Sequence, residues 1–392
     1  MASIVHSGSG PHVAYERRLA RLTQADLARR AGVALGTVRK IEQGARGVSD
    51  RALGALAQAL DVDVSRLLPQ DEQCGHRVHE AMPALSEVLA SYEMPDDGPV
   101  RALSDLQAAV EDLVAWRLGA QYVRIARTAP AVLAELCRAV ASSPARLRVA
   151  CLLVDACRAA DAVAYKHGAV DVSARLIDVM RWAAGQADDP LVAATVAYVR
   201  TEVFFSSGAH SAGLRMLAQA VEDAPGGAAP EALAARGALH MRAAVIAGRA
   251  GDAVAADDHL GAARSLADRV PEQIYRGTAF GPDSVRIHEM SVAVSLGGEH
   301  LGRVVCGVRE WAPPRALPAE RRSGYYIELG RAQLWTGRPN EAFESLRTAR
   351  RIAPQHVREH RWVREDAARL RRLKRGDAET LSSFAEWCHA LP

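Results

Sequence analysis

The sequence predicts an all-α protein in two parts, five short helices over residues 12–68 and a long array of paired helices over 76–392. Three observations predict it. Residues 12–68 are broken by closely spaced capping and stop signals. Beyond residue 75, Ala-, Leu- and Val-rich segments follow one another without an alternating strand pattern of useful length. Glycines then recur after long helical segments, at Gly168, Gly208, Gly251, Gly298 and Gly337.

A chain of 392 residues is too long for one small core, so two or more folded units are expected. Apolar residues are 49% and charged residues 24% of the chain, the balance of a soluble globular protein. No apolar run reaches the roughly 18 residues of a bilayer span. The opening MASIVHSGSG has neither a basic start nor an apolar core, so it reads as a disordered lead-in over 1–11 rather than a signal peptide. Six cysteines stand without a C-x-x-C pair, which predicts reduced, mostly buried thiols in a cytoplasmic protein and no metal site. Arginine supplies nearly all the positive charge, since Lys40, Lys166 and Lys374 are the lysines.

The first helix is expected over Val13–Ala20. Thr23 opens a second, because Thr23-Gln24-Ala25-Asp26 is a capping-box pattern with Leu27 and Ala28 turned inward. Gly32 should stop it in the left-handed conformation. A third helix, Leu35–Gln43, follows after a very short turn and ends at Gly44. Asp50 is expected to cap a fourth through Leu60, and Val64–Leu68 to form a fifth. Two helices across so short a turn have helix-turn-helix geometry. Residues 69–75 (PQDEQCG) read as a linker.

At about 100° per residue, Val38 and Ile41 of the third helix point one way and Gly36, Arg39, Lys40 and Gln43 the other. An apolar face backed by a donor-bearing face is what a helix in a DNA major groove requires. Thr37, in the first turn, can reach a phosphate or a base edge. Residues 1–68 hold ten Arg/Lys against six Asp/Glu, and residues 347–375 eleven against three, so the segment between them is acidic. A basic head on an acidic body suits a protein that sets one end on a polyanion.

The segment TQADLARRAGV…TVRKIEQG, from Thr23 to Gly44, resembles the Xre and phage-repressor helix-turn-helix family, with likeness over residues 12–68. The resemblance implies a five-helix, lambda-repressor-like domain that binds double-stranded DNA, commonly as a homodimer on an inverted repeat. It implies that Gln24, beside Thr23 at a helix N-terminus, grips a phosphate, and that Arg17 and Glu42 form a structural ion pair. The family often reads bases with long polar side chains at the two positions filled here by Leu35 and Gly36. Discrimination would then rest on Thr37, Arg39 and Lys40, with Gln43 on the same face and Arg46 a phosphate contact.

The glycine-punctuated units resemble tetratricopeptide repeats. The clearest has Tyr326, Leu329, Gly330, Gly337, Ala342, Leu346, Ala349 and Pro354 in step. The resemblance implies a solenoid with a concave face. The inward positions of such repeats, counted back from each glycine, select Arg158, Tyr165, Lys166, Tyr198, Glu202, Phe205, Met241, Arg249, His288, Arg331 and Trp335. This mixture of aromatic and charged groups suits a peptide, a small molecule or a protein as ligand. A helix-turn-helix with such repeats is similar to Gram-positive peptide-pheromone receptors and to actinobacterial regulators of this length. The peptide-clamping asparagine of the first group is replaced by Ala162, Glu202, Val245, Val292 and Arg331, which weighs against an oligopeptide. Residues 76–167 are helical but show no readable repeat register, and the basic run 347–375 reads as a solvated face closing the array or as an auxiliary contact for DNA or an acidic partner.

No G-x-S-x-G, P-loop or H-E-x-x-H motif occurs, and His356 with His360 lacks a third ligand, so neither an enzyme nor a metal or cofactor site is expected. The residues therefore predict a DNA-binding transcription regulator whose repeats dimerise it and sense a ligand or partner. The alternative is a protein-interaction adaptor with a vestigial or docking helix-turn-helix domain.

Overall fold

Helices account for nearly all the regular structure of the computed structural model, which describes every residue except 1–4, 7–8, 45–47, 63–66, 68–73, 308–310, 374–377, 389 and 391–392. The N-terminal domain comprises α1 (Gly10–Leu19), α2 (Gln24–Ala31), α3 (Leu35–Glu42) and α4 (Asp50–Leu60). Its core is built from Val13, Leu27, Val38, Ile41, Val48, Leu53, Leu56, Leu60 and Leu67. The expected capping box is formed: Thr23 Oγ1 accepts from the Asp26 amide at 3.1 Å and the Thr23 amide donates to Asp26 at 3.2 Å. Gly32 ends α2 at φ 63°.

Three details differ from expectation. Ser49, not Asp50, caps α4, its hydroxyl accepting from the Ala52 amide. Helix α1 begins at Gly10, within the stretch expected to be a disordered lead-in, and β1 (Val5–His6) pairs antiparallel with β2 (Val48–Ser49). Proline at the helix start and a hydrogen-bonded strand partner order those residues despite their low-complexity composition. Gly10 is also a packing device: a Cβ there would lie 2.1 Å from the Ile41 carbonyl, so its absence lets α1 close on α3. Of the expected fifth helix over 64–68 the structure describes Leu67, buried in the domain core; the rest of it and most of the linker lie outside the described residues.

The body starts with α5 (Cys74–Ala90), α6 (Leu103–Leu118) and α7 (Tyr122–Ser142). Helix pairs follow: α8 (Arg146–Lys166) with α9 (Val170–Ala187), α10 (Pro190–Ser207) with α11 (His210–Asp223), and α12 (Pro230–Arg249) with α13 (Ala253–Ala267). Next come α14 (Pro282–Leu296) with α15 (Glu299–Gly307), and α16 (Ala319–Trp335) with α17 (Pro339–Ile352). The chain ends in α18 (Pro354–Glu359), α19 (Arg361–Leu373) and α20 (Ala378–Trp387). The recurring glycines are the turns of these pairs. Gly168, Gly208, Gly251 and Gly337 sit at φ 77°, 69°, 78° and 77°, where a side chain is strained, and Gly297 and Gly298 share the turn before α15.

Like the β1–β2 pair, a second strand element has no signature in the sequence. Between α13 and α14 lies a hairpin of β3 (Gln273–Tyr275) and β4 (Thr278–Phe280), paired in register Tyr275 to Thr278. Its two-residue turn, Arg276-Gly277, has φ 47° and 73°, the type I′ geometry suited to a hairpin. Strands this short carry no usable periodicity. Phe280 is fully buried and lies where a Cβ on Gly237 would be, at 2.0 Å, so the hairpin is pinned onto α12 by a missing side chain.

Candidate DNA-reading helix and body cavity

Helix α3 presents two chemically opposite faces. Val38 and Ile41 are 0% and 2% exposed in the domain core. Gly36, Arg39, Lys40 and Gln43 are exposed on the other side, with Leu35 and Thr37 half-buried at the first turn. Arg46 lies outside the described residues. Thr23 is exposed at the start of α2.

The orientation of α3 is locked at its far end. Arg17 of α1 donates from Nε and Nη2 to the Glu42 carboxylate at 2.7 and 2.9 Å, a bidentate pair, and from Nη1 to the Leu22 carbonyl at 2.9 Å. Gln24 Nε2 donates to the same carboxylate at 2.7 Å. Burial alone would raise the Glu42 carboxyl, but the bonds from Arg17 and Gln24 hold it below its ordinary range. Gln24 therefore ties α2 to α3 through one N–H. Its carboxamide carries a second N–H that could still meet a phosphate. This structural use of Gln24 was not visible in the sequence, because its partner lies eighteen residues on.

In the body, helices α6, α8, α10, α12, α14, α16, α18 and α19 and the β3–β4 turn surround a cavity of about 890 Å³. Eight of the eleven selected groove residues line it: Arg158, Tyr165, Lys166, Tyr198, Glu202, Phe205, Arg249 and His288. Three do not. Met241 is fully buried in the core, and Arg242, one residue on, faces the cavity instead. Arg331 pairs with Asp366 and Glu365 of α19 at 3.2 and 3.1 Å and stacks on Trp335 and Trp362, and Trp335, at the end of α16, is 41% exposed rather than turned into the cavity. Arg331 stands two turns beyond Gly324 on the same face of α16, but α19 takes up its guanidinium, and Arg321, Gly324, Tyr325 and Glu328 line the cavity.

Arg117 and Arg321 also escaped sequence reading, since neither occupies an inward position counted from a repeat glycine. Arg117 Nη2 donates to the Gly277 carbonyl at 2.6 Å. Arg158 donates to the Arg276 carbonyl at 2.9 Å and to Thr278 Oγ1 at 2.7 Å. Gly277 is needed here a second time, because a Cβ would lie 3.0 Å from Arg117 Nη2 and 3.2 Å from Arg158 Nη1. Arg321 Nη2 donates to the Tyr198 hydroxyl at 3.0 Å, and its Nη1 lies 3.3 Å from His288 Nε2. His288 Nδ1 is 2.8 Å from the Ser284 carbonyl, which requires the proton on Nδ1 and leaves Nε2 as acceptor. Burial and Arg321 hold that imidazole well below its ordinary pKa, consistent with a neutral ring. Arg242 lies 4.2 Å above the Tyr198 ring. Burial would raise the Tyr198 phenol, yet Arg242, Arg321 and Arg158 bring it down to about 7. Burial, with the neighbouring Arg117 charge, lowers Arg158 to about 9.

Among the described residues no helix is long and apolar enough to cross a membrane. No curated protein matches the chain. Among solved structures it is similar to Bacillus thuringiensis PlcR in complex with the peptide PapR7 and DNA, at 13% identity and a TM-score of 0.27, over 67% of this chain and 95% of that one. It is also similar to a mutant of PrgX, at 9% identity and a TM-score of 0.22, over 97% and 100% of the two chains. The family model described as Helix-turn-helix matches residues 13–67, the span of α1 to α4 whose two-faced α3 is described above. Residues 13–67 are thus a helix-turn-helix domain of the Xre type.

Proposed function

We propose that the protein is a sequence-specific DNA-binding transcription regulator of the cytoplasm, whose helical body dimerises it and receives a ligand. The observation that supports this best is α3 itself: Val38 and Ile41 anchor it while Arg39, Lys40 and Gln43 stand free on the opposite side. In a major groove, Arg39 and Lys40 would donate to guanine edges, Thr37 would reach a phosphate or base, and Leu35 would contact a thymine methyl. Gly36 lets the backbone approach closely. Thr23, the second N–H of Gln24, and Arg46 would hold phosphates and fix the register. A homodimer would place two α3 helices in successive major grooves about 34 Å apart, on an inverted repeat.

The body cavity would act by favouring one arrangement of the two DNA-binding domains, shifting operator affinity by the difference in ligand affinity between arrangements. Selection from random duplexes with the full chain tests the DNA reading. An inverted repeat with half-sites separated by about one helical turn is expected. Recovery of no preferred sequence at any salt concentration would overturn it and leave the protein-interaction adaptor.

A further inference from the structure

We propose that the body cavity is a receptor for a small organic anion, whose carboxylate or phosphate sits among Arg117, Arg158, Arg242 and Arg321 beside Tyr198. This deepens the reading above, since it rests on the body being the receiving part. The four guanidiniums come from four helices, α6, α8, α12 and α16, and face one cavity. Arg158 and Arg117 are only 5% and 7% exposed.

The hydrogen-bond partners of Arg117, Arg158 and Arg321 include no carboxylate: they are the Arg276 and Gly277 carbonyls, the Thr278 and Tyr198 hydroxyls and the His288 ring. Such partners orient a guanidinium without neutralising it. Asp161, Glu202, Glu320, Glu328 and Glu359 line the same cavity, fewer than its eight cations, and Asp155 lies within the field of Arg158 and Arg117. Asp161 accepts from Ser173 and Glu359 from Arg364. Glu320 faces Lys166 at 3.3 Å, and Glu328 accepts from Ser291 at 2.6 Å while burial pushes it up to about 7. Glu202 is 3.6 Å from Arg242, a loose pairing. Arg117 Nε and Arg242 Nε are buried with no hydrogen-bond partner.

Buried charges left this way are costly unless another charge joins them. The depressed Tyr198 phenol is the local sign of that excess, because it places partial negative charge where the cluster calls for it. A bound acid group would do so fully, through the fork geometry that guanidinium offers to carboxylate and phosphate. The cavity is large enough for a drug-sized molecule, and Tyr165 and Phe205 supply flat apolar wall for the remainder of the ligand.

The full chain, without DNA, is titrated with inorganic phosphate, with benzoate and with neutral benzamide to roughly 10 mM, enough to saturate a site of millimolar Kd. Phosphate or benzoate should raise the melting temperature and benzamide should not. Response to phosphate alone assigns a phosphate ester, and to benzoate alone a carboxylic acid. Arg242→Gln and Arg321→Gln should each weaken the active probe about tenfold or more. If either variant fails to fold, the ultraviolet absorbance of tyrosinate in the native protein decides: a seated anion should raise the Tyr198 pKa and reduce that absorbance. The proposal is overturned if neither anion shifts the melt, if folded variants bind as tightly as the native chain, or if the tyrosinate signal ignores a bound anion. Because DNA is absent, failure here is separable from failure of the duplex selection.

Discussion

In the N-terminal domain Arg39 and Lys40 stand exposed on α3, whereas in the body Arg117, Arg158 and Arg331 are enclosed by carbonyls, aromatic rings and carboxylates. The two sets stand in different surroundings. An exposed cation costs the fold little, keeps its counterions, and can exchange them for phosphates, giving salt-dependent affinity. A buried one must be compensated within the protein, so its position is set by packing and its removal strands whatever it compensated. On the reading proposed above, exposed cations would serve association with DNA in the N-terminal domain, while buried ones hold the internal architecture of the body.

The strongest way to break this contrast is Arg331→Ala. It leaves Asp366, 3% exposed, without its guanidinium and removes the stack on two tryptophans, and should cost the body about 3 kcal/mol or more in denaturant unfolding. The outcome is softened if Asp366 takes up a proton, since burial pushes it up to about 6. Next comes Arg39→Ala or Lys40→Ala. Each should lower affinity for the selected operator by about 1–3 kcal/mol at particular base positions, or by a uniform amount with a shallower salt slope if the contact is to phosphate. Neither should move the melting temperature, and a large shift in melting would show that these side chains belong to the fold.

Glu328→Gln sharpens the comparison through pH. The buried Glu328 carboxyl has its pKa raised to about 7, so the folded state holds a proton that the unfolded chain releases at lower pH. The stability this contributes is complete below the unfolded pKa and is lost as pH rises through about 7. The melting temperature of Glu328→Gln relative to the native protein should therefore climb between roughly pH 5 and pH 8. A flat difference across that range would show that Glu328 titrates normally. The smallest effect is expected from Arg347→Ala. Arg347 pairs with Glu344 on the outside of α17 with both partners more than half exposed, so no change in melting should be detectable.

What could be read ahead of the structure was local. The two faces of α3 follow from helical periodicity alone, and Val38 and Ile41 are buried as that periodicity requires. The turns at Gly168, Gly208, Gly251 and Gly337 were legible because a left-handed turn residue is usually glycine. The likeness to the repressor family anticipated the Arg17–Glu42 pair. The strands at Val5–His6 and Gln273–Phe280 were not legible, being too short to alternate. The cavity face of α12 was misread by one residue, Met241 for Arg242, and on α16 Arg331 is taken up by α19, because neighbours in space, Phe280 above Gly237 and α19 beside Arg331, decide which side chains reach the cavity.

The sequence by itself determined the helices, their caps, their hinge glycines and the cationic side of α3, because each depends on spacing within about one or two turns of chain. Tertiary structure alone decided that Gln24 would lock onto Glu42, and that Arg117, Arg158, Arg242 and Arg321 would meet around Tyr198. Those meetings join residues as many as 204 positions apart, as Arg117 and Arg321 are. No local periodicity encodes such encounters; they follow from how successive helix pairs stack and from where a missing side chain allows two elements to touch.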